Sequence, residues 1–150
     1  MAFDSVSWPF LLEVLQHLGF GQIWRDIVCG LLSSLTTQVL MNGVPGKYIS
    51  HRRGLRQDDP LSPMLIILVM DVLGQLIAQA AREGLLQPLL ARNMQYRISL
   101  YADDVVLFLC RLASDISMTM DILKIFGEAS GLNTNLQKSS VPPIRCGDLD

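Results

Sequence analysis

Two adjacent aspartates at the junction of two strand-like runs constrain this chain more than any other feature. Residues 96–101 alternate, with Ile98 and Leu100 on one face, and residues 105–109 form an unbroken apolar run rich in β-branched and aromatic side chains. The pattern predicts a hairpin whose second strand is buried on both faces, with Tyr101-Ala102-Asp103-Asp104 at its tip. No Lys or Arg lies within three residues of the aspartate pair. Ionised carboxylates at the edge of a core are costly without compensating positive charge. A divalent cation shared with a polyphosphate supplies it. A surface Asp-Asp turn satisfies the same spacing, and the residues alone leave both readings open.

The rest of the chain reads as helices alternating with hairpins. Ser7-Trp8-Pro9 offers a cap and a first-turn proline, Leu11, Leu12, Val14, Leu15 and Leu18 follow at helical spacing, and Gly19 closes the helix. A second helix starts near Gly21, and its stripe of Ile23, Trp24, Ile27, Val28, Leu31 and Leu32 reads as core. Residues 37–42 and 47–53 read as strands joined through Gly43-Val44-Pro45-Gly46. A helix then runs from Ser62-Pro63 to about Glu83, stopped by Gly84. Ser114 or Asp115 caps a last helix carrying Met118, Ile122, Ile125, Phe126 and Ala129 and ended by Gly131, after which a short strand bears Lys138. Without βαβ spacing, this order implies an α+β fold in one domain over residues 1–150.

Composition narrows the possibilities further. Half the residues are hydrophobic and 17% charged, which excludes disorder. The net charge of −2 argues against autonomous, tight nucleic-acid binding by the chain as a whole. Yet His51, Arg52, Arg53 and Arg56 fall within six residues. Positive groups beside a strand end suit a triphosphate or a nucleic-acid backbone, and a solvated edge strand fits equally. Cys29, Cys110 and Cys146 are too widely spaced for a zinc site and suit buried positions in a reducing, intracellular compartment. The first ten residues carry Asp4 and no basic residue, so no signal peptide is expected. Asp71 splits the apolar stretch 60–81 into pieces shorter than the ~20 residues that span a bilayer. With Asp71, Gln75 and Gln79 on one face, a half-buried helix is expected and no membrane association.

Four ordered motifs carry a family resemblance. Tyr101-Ala102-Asp103-Asp104 before an apolar strand resembles the core motif of reverse transcriptases. Arg53-Gly54-Leu55-Arg56-Gln57-Asp58-Asp59-Pro60-Leu61-Ser62-Pro63 resembles R-G-x-R-Q-G-D-P-L-S-P, and Ala2-Phe3-Asp4-Ser5-Val6 resembles K-A-F-D-x-V. Ser130-Gly131-Leu132-Asn133 through Lys138-Ser139 resembles S-G-L-x-x-N-x-x-K-S. The set is similar to LINE-type, non-LTR retrotransposon reverse transcriptases and covers nearly the whole chain.

The resemblance implies a polymerase palm, a small antiparallel sheet with helices on one face, in a partial domain without fingers, first catalytic strand or thumb. It implies RNA-templated DNA synthesis in retrotransposition, with RNA template, DNA primer and deoxynucleoside triphosphates as partners. Two Mg²⁺ ions about 4 Å apart do the chemistry, with Asp103 and Asp104 as ligands. Arg56, Gln57 and Lys138 match nucleotide or template contacts, and Phe3 matches the ring that excludes a ribose 2′-hydroxyl. The family's other metal-binding aspartate stands five residues before the matching phenylalanine, which falls two residues before Met1. Asp4 is therefore not that ligand and is expected to cap the turn into the first helix.

Asp58 replaces a family glycine. A carboxylate ~4 Å from a phosphate at an effective dielectric near 20 costs roughly 4 kcal/mol. With one metal ligand, the fingers and the thumb missing, the 150 residues alone are expected to be inactive, and to associate through the sheet edge that the lost strand leaves unpaired. Rival readings are a non-catalytic nucleic-acid- or protein-binding remnant and an inert product of a decayed retroelement.

Overall fold

The computed structural model describes residues 2–56, 59–89, 97–101 and 104–143. Its elements are α1 (Trp8–His17), α2 (Gln22–Ser33), β1 (Thr36–Met41), β2 (Val44–Ser50), α3 (Ser62–Arg82), β3 (Ile98–Tyr101), β4 (Asp104–Leu107) and α4 (Ala113–Ser130). Short 3₁₀ turns span Ala2–Asp4 and Leu136–Lys138. The class is α+β, as the alternation of helices and hairpins implies. Among the described residues the strands form two separate antiparallel ribbons, β1–β2 and β3–β4.

The helices begin and end where local chemistry dictates. Ser7 is extended and its hydroxyl accepts from the Phe10 N–H at 3.5 Å, opening α1 with Pro9 in its first turn. At its far end Phe20 N–H donates to the Leu15 carbonyl and Gly19 N–H to that of Gln16, both at 3.0 Å. The same reverse bond, Leu85 N–H to the Ala80 carbonyl at 2.9 Å, stops α3 just past Gly84. At the head of α3, Asp59 Oδ1 accepts from the Leu61 N–H at 3.0 Å.

Helix α3 is long and apolar enough to cross a membrane by length and composition. It instead supplies Leu65, Ile66, Val69, Met70, Leu73, Ile77 and Ala80 to the core, while Asp71, Gln75 and Gln79 remain exposed. Helix α1 adds Leu11 and Leu15, and Phe10 meets Phe126 of α4 edge to face at 6.1 Å.

Four local expectations are corrected. The α2 stripe splits: Val28 and Leu32 are buried and Trp24 packs against the core, but Ile23 is 79% exposed and Ile27 56%. Its packing partner among the helices is α1, and one neighbour covers only part of so wide a stripe. The first hairpin turns earlier than expected, at Asn42-Gly43, both with positive φ (51° and 81°). That conformation matches the right-handed twist of the flanking strands, and Pro45 is tolerated in β2 because the ribbon is all edge.

Strand β4 ends at Leu107 and is exposed at Val105 and Val106. The ribbon lies against α3, with Ile98 Cγ2 3.6 Å from where a Gly74 Cβ would stand. An apolar run does not by itself secure a second covering layer. Finally, α4 is not capped by Ser114 or Asp115. Asp115 is buried in its first turn and accepts from the Gln87 N–H at 3.1 Å, tying the helix to the segment after α3.

The turn after α4 packs onto the segment before α1. Ser7 N–H donates to the Ser130 carbonyl at 2.8 Å. A Cβ on Gly131 (φ +81°) would stand 2.2 Å from the Ser5 carbonyl oxygen, whereas one on Gly30 in α2 would meet nothing within 4 Å. Urea unfolding followed by circular dichroism tests this contrast. Gly131→Ala is expected to lower stability by more than ~2 kcal/mol, and Gly30→Ala to raise it by about 0.5–1 kcal/mol. Equal stabilities would contradict the packing.

Candidate functional site

Three of the four motifs meet around Phe3–Ser7. Leu55 N–H donates to the Phe3 carbonyl at 2.6 Å, and Gly54 N–H to that of Val6 at 2.8 Å. Trp8 Nε1 donates to the Gly54 carbonyl at 2.7 Å. Gly54 has φ +87°, and a Cβ there would stand 2.8 Å from the Asp4 carbonyl oxygen. Only glycine permits both this backbone sign and this approach. The third segment, Ser130-Gly131, closes on Ser5 and Ser7 from the other side.

The candidate side chains follow from these anchors. Phe3 lies in the 3₁₀ turn, half-buried against the core. Asp4 stands in the same turn with its backbone under Gly54, while the cap of α1 is Ser7. Arg56 directly follows the pinned Leu55 and is exposed, and it lines a small crevice with Leu35, Asp59 and Leu61. Lys138 is exposed in the 3₁₀ turn Leu136–Lys138, not on a strand. Asn135 accepts from the Gln137 N–H at 3.1 Å, and that local bond favours a turn over strand pairing.

The acidic hairpin forms at the expected place. Tyr101 pairs with Asp104 across the ribbon, and Phe108 N–H donates to the Arg97 carbonyl at 2.8 Å at its base. Asp103, Gln57, Asp58 and Cys146 lie outside the described residues. Asp104 is an exposed carboxylate at the head of β4, with no hydrogen bond or ion pair among the described residues. An uncommitted carboxylate suits a hard cation such as Mg²⁺, which takes few ligands from protein. Among the described residues no three of His, Cys, Asp or Glu lie together as a metal site.

Trp8 and Val6 are the anchors that sequence reading missed. The Trp8 indole reaches a carbonyl 46 residues away, and Val6 takes up the Gly54 amide. No periodicity signals such long-range bonds. Trp8 was visible only as a helix residue.

Comparison with known proteins points to the family that the motifs resemble. Residues 1–143 match the family described as reverse transcriptase (RNA-dependent DNA polymerase). The chain is 30% identical over 139 residues to the transposon TX1 uncharacterized 149 kDa protein of Xenopus laevis, covering 93% of this chain and 10% of that protein. It is 30% identical over 131 residues to the retrovirus-related Pol polyprotein from type-2 retrotransposable element R2DM of Drosophila melanogaster, covering 84% and 12%. An uncharacterized mitochondrial protein of Arabidopsis thaliana is 43% identical over 67 residues, covering 43% and 55%. The chain thus spans about a tenth of the length of the two retroelement proteins.

The indole bond gives a local prediction. Trp8→Phe keeps the ring and removes the donor to Gly54, which is expected to cost about 1 kcal/mol. Hydrogen exchange at the Gly54 and Leu55 amides should quicken more than at amides in α3. Unchanged protection at both would show that the bond does not hold the segment.

Proposed function

The chain belongs to the reverse transcriptase (RNA-dependent DNA polymerase) family, of the non-LTR retrotransposon type, and on that premise we propose that it forms the palm of an RNA-templated DNA polymerase. The supporting observation is the hairpin register. Tyr101 opposite Asp104 brings both ends of the Tyr-Ala-Asp-Asp tetrapeptide to the tip of a ribbon seated on α3. In this reading residues 1–150 are part of a larger polymerase domain, with fingers, first catalytic strand and thumb supplied by other sequence.

Each residue then has a defined task. Asp103 and Asp104 would hold Mg²⁺, which when bound activates the primer hydroxyl and neutralises the leaving pyrophosphate. Arg56 binds the triphosphate or template as an exposed positive group. Its backbone follows directly on Leu55, whose amide is hydrogen-bonded to the Phe3 carbonyl. Gln57 adds a contact beside it. Phe3, held against the core, excludes a 2′-hydroxyl by bulk. Lys138 supplies a second positive group for the triphosphate. The exposed Val105 and Val106 support association through the open β4 edge.

Metal binding and polymerisation separate the parts of this reading. Mn²⁺ titration of the 150-residue chain, followed by water-proton relaxation, should show binding that weakens at least ~10-fold in Asp103→Asn/Asp104→Asn, about 1.4 kcal/mol or more. Primer extension on an RNA template should be absent in the 150-residue chain. It should appear in a chain extended upstream with an aspartate two residues before Met1 and the missing subdomains. Metal binding indifferent to both aspartates would overturn the site assignment. Extension by the 150 residues alone, lost on Asp103→Asn, would overturn the predicted inactivity.

A further inference from the structure

The acidic hairpin is held at one end. Of its described strand residues, Ile98 and Leu107 pack against the core, and they pair with each other at the root. Toward the tip Leu100, Val105 and Val106 are exposed, and Tyr101 is 81% exposed. From Arg97 to Tyr101 an extended strand runs about 13 Å. A tilt of about 5° at the root therefore moves the tip by about 1 Å, several times the ~0.2 Å tolerance of a metal–ligand distance. Whatever fixes the root decides where the carboxylates stand.

Polar contacts converge there on one short segment. Leu86 is buried in the core and anchors the chain after α3. The next residue, Gln87, gives its N–H to Asp115 at 3.1 Å, and its carbonyl accepts from Arg97 Nη2. Beyond the other strand, the Cys110 thiol donates to the Pro88 carbonyl at 3.4 Å. The two roots are also bonded to each other, Phe108 N–H donating to the Arg97 carbonyl at 2.8 Å. Both strands are thus tied to Gln87 and Pro88, and Asp115 ties that segment to the first turn of α4.

These contacts are costly. Asp115 is 1% exposed, and a carboxylate so placed needs hydrogen bonds and favourable charge. It has the Gln87 N–H and the N-terminal end of the α4 dipole. Arg97 keeps its Nη1 buried without a hydrogen-bond partner, which adds the desolvation cost of that donor. Apolar side chains would fill the same space without either cost, but they fix no direction. Hydrogen bonds do. We infer that Asp115 and Arg97 are positioning residues for Asp103 and Asp104, and that through the Gln87 peptide they set the angle at which the ribbon leaves α3. The inference rests on the metal-binding reading above and adds to it two residues outside the four motifs.

The test is the Mn²⁺ titration of the 150-residue chain, run beside urea unfolding and amide exchange at Phe108. Asp115→Leu and Arg97→Met should each weaken metal binding ~3-fold or more and quicken exchange at Phe108. Asp115→Asn keeps an acceptor and Arg97→Lys a donor, so both should stay within about twofold of the parent. Because the two residues act through one peptide, Asp115→Leu/Arg97→Met should bind little more weakly than the weaker single variant. The sign separates position from charge. Arg97→Met removes a cation about 13 Å from the tip, beyond the ~8 Å screening length. Charge alone would then leave Mn²⁺ binding unchanged or tighter. Val14→Ala, which removes buried volume in α1, should lower stability and leave metal affinity unchanged. Arg97 is partly exposed, so its variants carry the test if Asp115→Leu does not fold.

Lowered stability with unchanged metal affinity in Asp115→Leu and Arg97→Met would leave both residues a structural role and overturn the inference. An equal loss of affinity in Asp115→Asn or Val14→Ala would overturn it too. Mn²⁺ binding by the parent that ignores Asp103→Asn/Asp104→Asn would sink the metal-site reading and the positioning role with it. Exchange at Phe108 would still report the clamp itself, so the two failures are told apart.

Discussion

The arrangement depends on a short backbone junction. Phe3 and Val6 offer carbonyls to Leu55 and Gly54, and Ser7 offers its amide to Ser130. Three chain segments far apart in sequence are thereby brought together by main-chain hydrogen bonds. Each bond adds about 1 kcal/mol net, but leaving these groups unpaired in the interior would cost more than making them gains. The junction therefore acts through its geometry. Two glycines with positive φ, Gly54 and Gly131, let the strands of backbone approach to distances that any side chain would forbid.

This explains which parts of the molecule were legible beforehand. Helices α1 and α3 announce themselves through local signals: Ser7 and Pro9 at a start, Gly19 and Gly84 at the stops. The α+β class and the hairpin before β4 follow from periodicity. What could not be read was which apolar faces would be covered. Ile23 and Val28 belong to one stripe, yet Val28 is buried and Ile23 is not, because burial is decided by the neighbour and not by the stripe. Pro45 misled in the same way. Proline beside glycine reads as a turn, but in a two-stranded ribbon each strand has a free edge where its missing N–H costs nothing. Of the candidate site, residue identities were legible from the motifs. The proximity of Phe3 to Leu55 was not, since no local pattern encodes a contact across fifty-odd residues.

Charge follows a related logic. The carboxylates at 103–104 have no base within three residues, and Lys47, Arg52 and Arg53 have no acid within four. Adjacent opposite charges would satisfy one another and leave little field for a ligand. Groups separated in this way are left without a near neighbour of opposite charge in the sequence. Net charge is thus a poor guide to local charge where residues 27–57 hold four cations and no acid.

The two charged regions are joined through one core. The basic segment is held by Gly54 and Leu55, and Leu55 is buried in the same cluster as Leu65, Val69, Leu73 and Ile77 of α3. The acidic ribbon rests on α3 through Ile98, which packs against that cluster. No covalent or polar link of comparable directness connects them among the described residues. Their relative placement is therefore set by close packing on α3, which tolerates little change in volume. A helix apolar enough to be mistaken for a membrane span is what that task requires. It must bury one side against α1 and α4 and still offer Gly74 as a smooth seat for the hairpin. The basic segment is pinned by backbone hydrogen bonds and the acidic ribbon by packing, and α3 is the element that both share through the core.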